Sequence, residues 1–164
     1  MNIVTLDFET YFDDDYTLKK LTTEGYIRDP RFKAYGCAML HDGLAYWLPG
    51  PEPFGPDAKA LLERSAVLCH HAQFDGLILN HHYGIKPACW LDTLSMAHYL
   101  YPGEPASLEA LAARYGLPAK TMPYQDMKGV RDLTPELEKR VAEGAIHDCE
   151  LTWAIFQAMM QGSP

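Results

Sequence analysis

Ile3-Val4-Thr5-Leu6-Asp7-Phe8-Glu9-Thr10 decides the fold. It opens as an apolar, β-branched run, which reads as a strand entering a core. Two carboxylates, Asp7 and Glu9, then interrupt it. Residues two apart on a strand point to the same side, so Asp7 and Glu9 face one way and Leu6 and Phe8 the other. Like charges side by side at the end of a buried strand repel each other and lose solvation. A divalent cation offsets most of that, and hard oxygen ligands favour Mg²⁺ or Mn²⁺. The plainer reading is a pair of solvated acids on an edge strand.

Downstream, residues 11–33 read as an irregular, partly helical excursion from the sheet. Lys19, Lys20, Arg28, Arg31 and Lys33 are interleaved there with Tyr26 and Phe32. That mixture suits a single strand held by phosphate contact and stacking, or a solvated loop with aromatic anchors. Strands are expected over 34–41 and 44–48, joined by the hairpin signal Asp42-Gly43. The prolines of 49–53 mark a rigid loop. A short helix follows over about 56–64, then a buried parallel strand over 66–70.

Asp75 sits at the start of a helix that Gly84 stops near residue 83. A carboxylate there also suits the helix dipole, with no further role needed. A strand at 88–91, a helix from Asp92-Thr93 to Tyr101, and a helix between Ser107 and Gly116 come next. A polar loop carries Lys120, Lys128 and Arg131. The last helix begins at Thr134-Pro135 and reaches about residue 160. Leu137, Val141, Ala145, Asp148, Thr152 and Ile155 fall on one stripe of it. An acid on such a face needs a partner: a core-facing Lys or Arg, or a metal shared with Asp7 and Glu9. The whole pattern predicts an α/β domain with a mixed sheet, spanning residues 1–164 as one unit.

The chain has 164 residues, 48% of them hydrophobic, enough for a full core. Its net charge of −8 argues against a general nucleic-acid coat protein. An enzyme whose acidic pocket is filled by metal stays open, because bound cations reverse the local sign. No apolar run is long enough for a membrane span. Met1-Asn2-Ile3 lacks the basic and long apolar segments of a signal peptide, so a cytoplasmic location is expected. Cys37, Cys69, Cys89 and Cys149 form no CxxC and read as small core residues.

With the acids placed, the sequence resembles the DEDD 3′–5′ exonucleases, the DnaQ-like group of the ribonuclease H-like superfamily. Leu6-Asp7-Phe8-Glu9-Thr10 is similar to the family's first motif, His70-His71-Ala72-Gln73-Phe74-Asp75 to its second, and His147-Asp148-Cys149-Glu150-Leu151-Thr152 to its third. The segment from Leu91-Asp92-Thr93-Leu94 to Tyr115-Gly116-Leu117 resembles the family's connection between motifs two and three. The excursion and the short length look most like proofreading domains of phage-type DNA polymerases. The resemblance implies a ribonuclease H-like sheet of about five strands, the first three antiparallel, flanked by helices. It implies hydrolysis at the 3′ end of single-stranded DNA, with RNA as a possible substrate, through two divalent cations, Mg²⁺ or Mn²⁺. Asp7 would bridge the cations, Glu9 and Asp148 would help hold the one carrying the nucleophile, and Asp75 would act largely through water. The backbone near Phe8 and Thr10, with His71 and Phe74, would contact the terminal nucleotide. Phe74 is equally readable as a core residue. A DNA polymerase or other replication protein acting in trans, in host cytoplasm if the source is a phage, is the implied partner.

Two positions depart from the family. Its general base is a Tyr four residues, or a His five residues, before the last Asp; here those are Gly144 and Glu143. His147 is the nearest substitute, yet one residue along a helix turns it about 100° away from Asp148. A slow exonuclease is therefore expected, faster with Mn²⁺ or at raised pH, and improved by Tyr at position 144. The second departure is His71, where the family generally carries Asn. Competing readings are a non-catalytic module that binds nucleic-acid ends or a replication protein, and a ribonuclease H-type endonuclease. A zinc protein built from Cys69, His70, His71, His81, His82 and Cys89 is a further one.

Overall fold

A computed structural model describes residues 1–162. The opening stretch is strand β1, Ile3–Thr10. The other strands are β2 (Ala34–His41), β3 (Leu44–Pro49), β4 (Ala66–Cys69) and β5 (Cys89–Asp92). They form one sheet in the order β3-β2-β1-β4-β5, which puts β1 at its centre. The β1–β2 and β2–β3 pairs are antiparallel, while β1–β4 and β4–β5 are parallel, so the expected mixed sheet is found. Asp42 and Gly43 both take positive φ, 50° and 73°, as a two-residue hairpin demands. Pro49 ends β3 on the edge of the sheet, where a missing N–H is tolerated.

The helices are α1 (Thr23–Arg28), α2 (Pro56–Glu63), α3 (Ala72–Tyr83), α4 (Thr93–Leu100), α5 (Leu108–Arg114), α6 (Tyr124–Met127) and α7 (Pro135–Met160). Helix α7 starts as its sequence dictates, with Thr134 Oγ1 accepting from the Leu137 N–H at 3.2 Å. Its stripe of Val141, Ala145, Asp148, Thr152 and Ile155 is buried, the first part against β1 and β2. Leu151, Ile155 and Met159 close a second cluster with Ala97, Leu108 and Leu111 of α4 and α5. No helix among the described residues is long and apolar enough to cross a membrane. Helix α6 lies inside the stretch read as a polar loop; four residues are too few to leave a periodic signal.

The 11–33 excursion is more ordered than its sequence suggests, because its aromatic residues join the main core beside the sheet. Tyr16 and Tyr26 are buried and stack with ring centres 4.3 Å apart. The Tyr16 hydroxyl donates to the Tyr26 carbonyl, and the Tyr26 hydroxyl donates to the Tyr11 carbonyl. His82 of α3 donates Nε2–H to the Ile27 carbonyl and stacks on Phe32. Most of its basic side chains are held in ion pairs at the surface. Lys20, Arg28, Arg31 and Lys33 pair with Asp15, Glu24, Asp29 and Asp132.

Candidate active site

Asp7 and Glu9 point from β1 toward α7, where Asp148 stands on the buried stripe. One carboxylate oxygen from each lies within 4.8 Å of the other two. Across the sheet Asp7 pairs with Ala38 and Glu9 with Gly36, whose missing side chain makes room for the Trp47 ring. Leu6 and Phe8 serve the core, as the two-residue period predicts; the Phe8 ring packs against Phe54 and Tyr83. Glu9 and Asp148 are buried. Asp7 is half-buried, but its Oδ2 and the Asp148 Oδ1 are buried with no hydrogen-bond partner.

Burial, and after it Asp148, pushes Asp7 up to about 7. Burial and then Asp7 carry Glu9 well above the usual carboxylate range. With no cation, acids packed this closely hold protons near neutrality. Hard oxygen donors with two unpartnered atoms among them fit a divalent cation of the Mg²⁺ or Mn²⁺ kind.

Asp75 lies in the first turn of α3 and is buried. Its Oδ1 accepts the Phe8 N–H at 3.0 Å. Burial first, and Asp7 next, raise it well above its ordinary value. It stands outside the tight trio yet lines the same open cleft. Phe12, Leu18 and Tyr26 of the excursion form one wall of that cleft, and His71 and Phe74 another.

The remaining sequence candidates divide. The Phe8 N–H, expected to meet the terminal nucleotide, is already committed to Asp75. Thr10 Oγ1 is 2.7 Å from the Tyr26 hydroxyl, which itself donates to Tyr11, so Thr10 is the donor. Phe74 is half-buried, with its ring 6.0 Å from that of Tyr26, and serves core and cleft together. His71 precedes α3 with a left-handed backbone, φ 77° and ψ 65°, and donates its N–H to Asp92 Oδ1. His147 is not brought to the cleft. It donates Nε2–H to the Ala119 carbonyl at 2.8 Å, as its rotation on the helix required.

The zinc grouping does not form. His70 bonds Thr93, His81 bonds Arg28 and His82 bonds Ile27. Asp7, Glu9 and Asp148 are the only metal-capable group of three among the described residues.

Lys120 and Tyr124 are the residues that the sequence reading missed. Lys120 Nζ lies 3.2 Å from Asp148 Oδ2 and 2.9 Å from the Tyr124 hydroxyl, with 22% of its side chain exposed. Burial lowers the lysine, but Asp148, Tyr124 and Asp7 outweigh it, and the net displacement is upward. Burial pushes the Tyr124 hydroxyl up to about 12, with Glu9 adding to it. Asp148 thus meets the lysine its position calls for on one oxygen, keeps the other without a partner, and stands close enough to Asp7 and Glu9 to share a cation with them. The signal in the sequence was the need itself, since an acid on an apolar stripe calls for a cation from elsewhere in the chain.

No family model and no curated protein matches the chain by sequence. Solved structures do match by shape. Brucella melitensis NrnC with bound Mg²⁺ superposes with a TM-score of 0.64 at 17% identity, over 98% of this chain and 74% of that one. Trypanosoma brucei RNase D gives 0.69 at 15% identity, over 96% and 57%. Escherichia coli RNase D, described as an exoribonuclease involved in structured RNA processing, gives 0.62 at 13%, over 97% and 40%. With its central β1, its mixed sheet and α7 laid across it, the chain shares the fold of these solved nucleases.

Proposed function

We propose that the chain is a metal-dependent 3′–5′ exonuclease that removes nucleotides from the end of a single strand. The observation that carries this reading is the Asp7, Glu9 and Asp148 trio, with two unpartnered buried oxygens, in an open cleft. These three side chains would hold divalent cations, with Asp75 nearby acting through water. When bound, the cations supply an activated water and steady the charge on the departing 3′ oxygen. Phe74 and Leu18 offer apolar surface to the terminal bases, while His71 and Thr10 border the place for the last sugar. With neither Tyr nor His at positions 144 and 143, turnover is slow.

The resemblance points to DNA. NrnC bound to pGG, which matches with a TM-score of 0.61 at 16% identity, and the exoribonuclease RNase D bring RNA forward equally. We take the substrate as a single-stranded 3′ end of either kind. The proofreading, phage and polymerase-partner expectations rest on the resemblance alone. The test is mononucleotide release from 3′-labelled DNA and RNA strands in Mg²⁺ and Mn²⁺, with Asp7→Ala as control. Wild type should exceed Asp7→Ala on at least one strand, and equal release by the two sinks the reading. A second reading, an end-binding module without turnover, is favoured by the Lys120–Asp148 ion pair, which occupies one of the acid oxygens. End binding with turnover at the Asp7→Ala level would select it.

A further inference from the structure

Four carboxylates at one cleft repel a phosphate, and the cleft answers with one fixed positive charge. Among the described residues, Lys120 is the only lysine or arginine that lines it. An ammonium has three N–H donors. Asp148 Oδ2 and the Tyr124 hydroxyl engage two of them, and the third has no partner among the described residues.

The segment that carries Lys120 is held at several points. His147 donates to the Ala119 carbonyl immediately before it. The Tyr124 ring lies 5.3 Å from Nζ, and an edge of it meets Phe12. Met122 packs on Gly144: a Cβ built at 144 would stand 3.1 Å from Met122 Cα and 3.0 Å from its Cε. Gly144 is one helical turn before Asp148, on the same side of α7. The glycine therefore lets segment 119–124 settle on the helix where a larger side chain would hold it off. In exchange, the segment delivers a cation and a hydroxyl beside Asp148.

We propose that Lys120 is a catalytic residue that donates to a non-bridging oxygen of the scissile phosphate, and that Tyr124 is the positioning residue that holds it there. This rests on the exonuclease reading above and adds to it a side chain that meets the charge building on phosphorus. A preorganised donor aimed at developing charge acts more on the transition state than on the bound strand.

Two measurements test it, on Lys120→Met, Lys120→Arg and Tyr124→Phe beside wild type and Asp7→Ala. In single-turnover cleavage with saturating Mn²⁺, Lys120→Met should lose about 10²-fold in rate, Tyr124→Phe about 10-fold, and Lys120→Arg should recover part of the loss. The second readout needs no catalysis. Strands ending in a phosphodiester or in a neutral methylphosphonate are bound to metal-free protein and followed by anisotropy. The affinity ratio of charged to neutral end should be about 10-fold more favourable to the charged end in wild type than in Lys120→Met. A ratio equal in the two proteins, or a cleavage rate of Lys120→Met within about 3-fold of wild type, overturns the assignment. Wild-type cleavage no faster than that of Asp7→Ala overturns the exonuclease reading and this one with it. A failure confined to Lys120 leaves wild type above Asp7→Ala, so the two failures are told apart.

Discussion

Replacing Asp7 by Asn should stabilise the metal-free protein while abolishing its turnover. Asn keeps the shape of the side chain and removes the charge. Burial, with Asp148 beside it, raises Asp7 from an ordinary value of 3.8 to about 7. At about 1.4 kcal/mol per unit, ionising Asp7 within the fold costs at most about 4 kcal/mol. Solvent reaches part of this half-buried residue, which reduces the figure to about 2 kcal/mol. The sign follows from proton counting. Between about pH 4 and about pH 7 the native state holds a proton that the unfolded chain has released, so stability falls as pH rises through that window. The Asn variant has nothing to titrate at this position and escapes that part of the fall. A gain of about 2 kcal/mol corresponds to about 4–8 °C in Tm for a domain of this size. The assay is thermal unfolding by circular dichroism in EDTA at about pH 5 and about pH 8, repeated with Mn²⁺. The variant should melt above wild type at the higher pH, by a margin at least halved at the lower one, and Mn²⁺ should raise wild type alone. A variant no more stable than wild type in EDTA at the higher pH refutes the claim that Asp7 is ionised against its surroundings. An Mn²⁺ response equal to wild type refutes its place as a ligand.

Gly144→Tyr should not restore the family's base: with Met122 Cα 3.1 Å from a Cβ there, it should cost about 1–3 kcal/mol in urea unfolding and slow turnover further. This reverses the expectation drawn from sequence, and a faster Gly144→Tyr enzyme would contradict the packing account. Tyr26→Phe strands the Thr10 hydroxyl and the Tyr11 carbonyl, so it should cost about 1–3 kcal/mol and weaken 3′-end binding, both measurable on one preparation. Asp75→Asn retains an acceptor for the Phe8 N–H and Asp75→Ala does not. The Ala variant should therefore be less stable than the Asn variant by about 1–3 kcal/mol, and equal denaturation midpoints would contradict this.

Much of this was legible because the sheet and the long helix obey simple periods. The alternation through Leu6, Asp7, Phe8 and Glu9 places the acids on one face, and the spacing of Val141, Ala145, Asp148 and Thr152 places the third acid opposite. Each was visible from local pattern, and their convergence from the resemblance. Lys120 and Tyr124 were not, because their place is set by what they reach across the fold rather than by a local repeat. The order of the 11–33 excursion was hidden for a related reason. Its charges are conspicuous in sequence, but its order comes from Tyr16, Tyr26 and Phe32, whose partners Tyr11 and His82 are distant in the chain or lack periodicity. At Gly144 the sequence shows the absent side chain but not Met122, which packs there from a distant segment.

The turn from β4 into α3 imposes a filter of its own on position 71. A backbone at φ 77° and ψ 65° is hostile to most side chains, and the non-glycine residues found there more often are Asn, Asp and His. The family's Asn and this chain's His71 thus belong to the same short menu. Exchange between them preserves the bend that aims the α3 N-terminus, whatever each side chain then offers a nucleotide. Val, Ile and Thr are shut out of that position by conformation before chemistry is consulted.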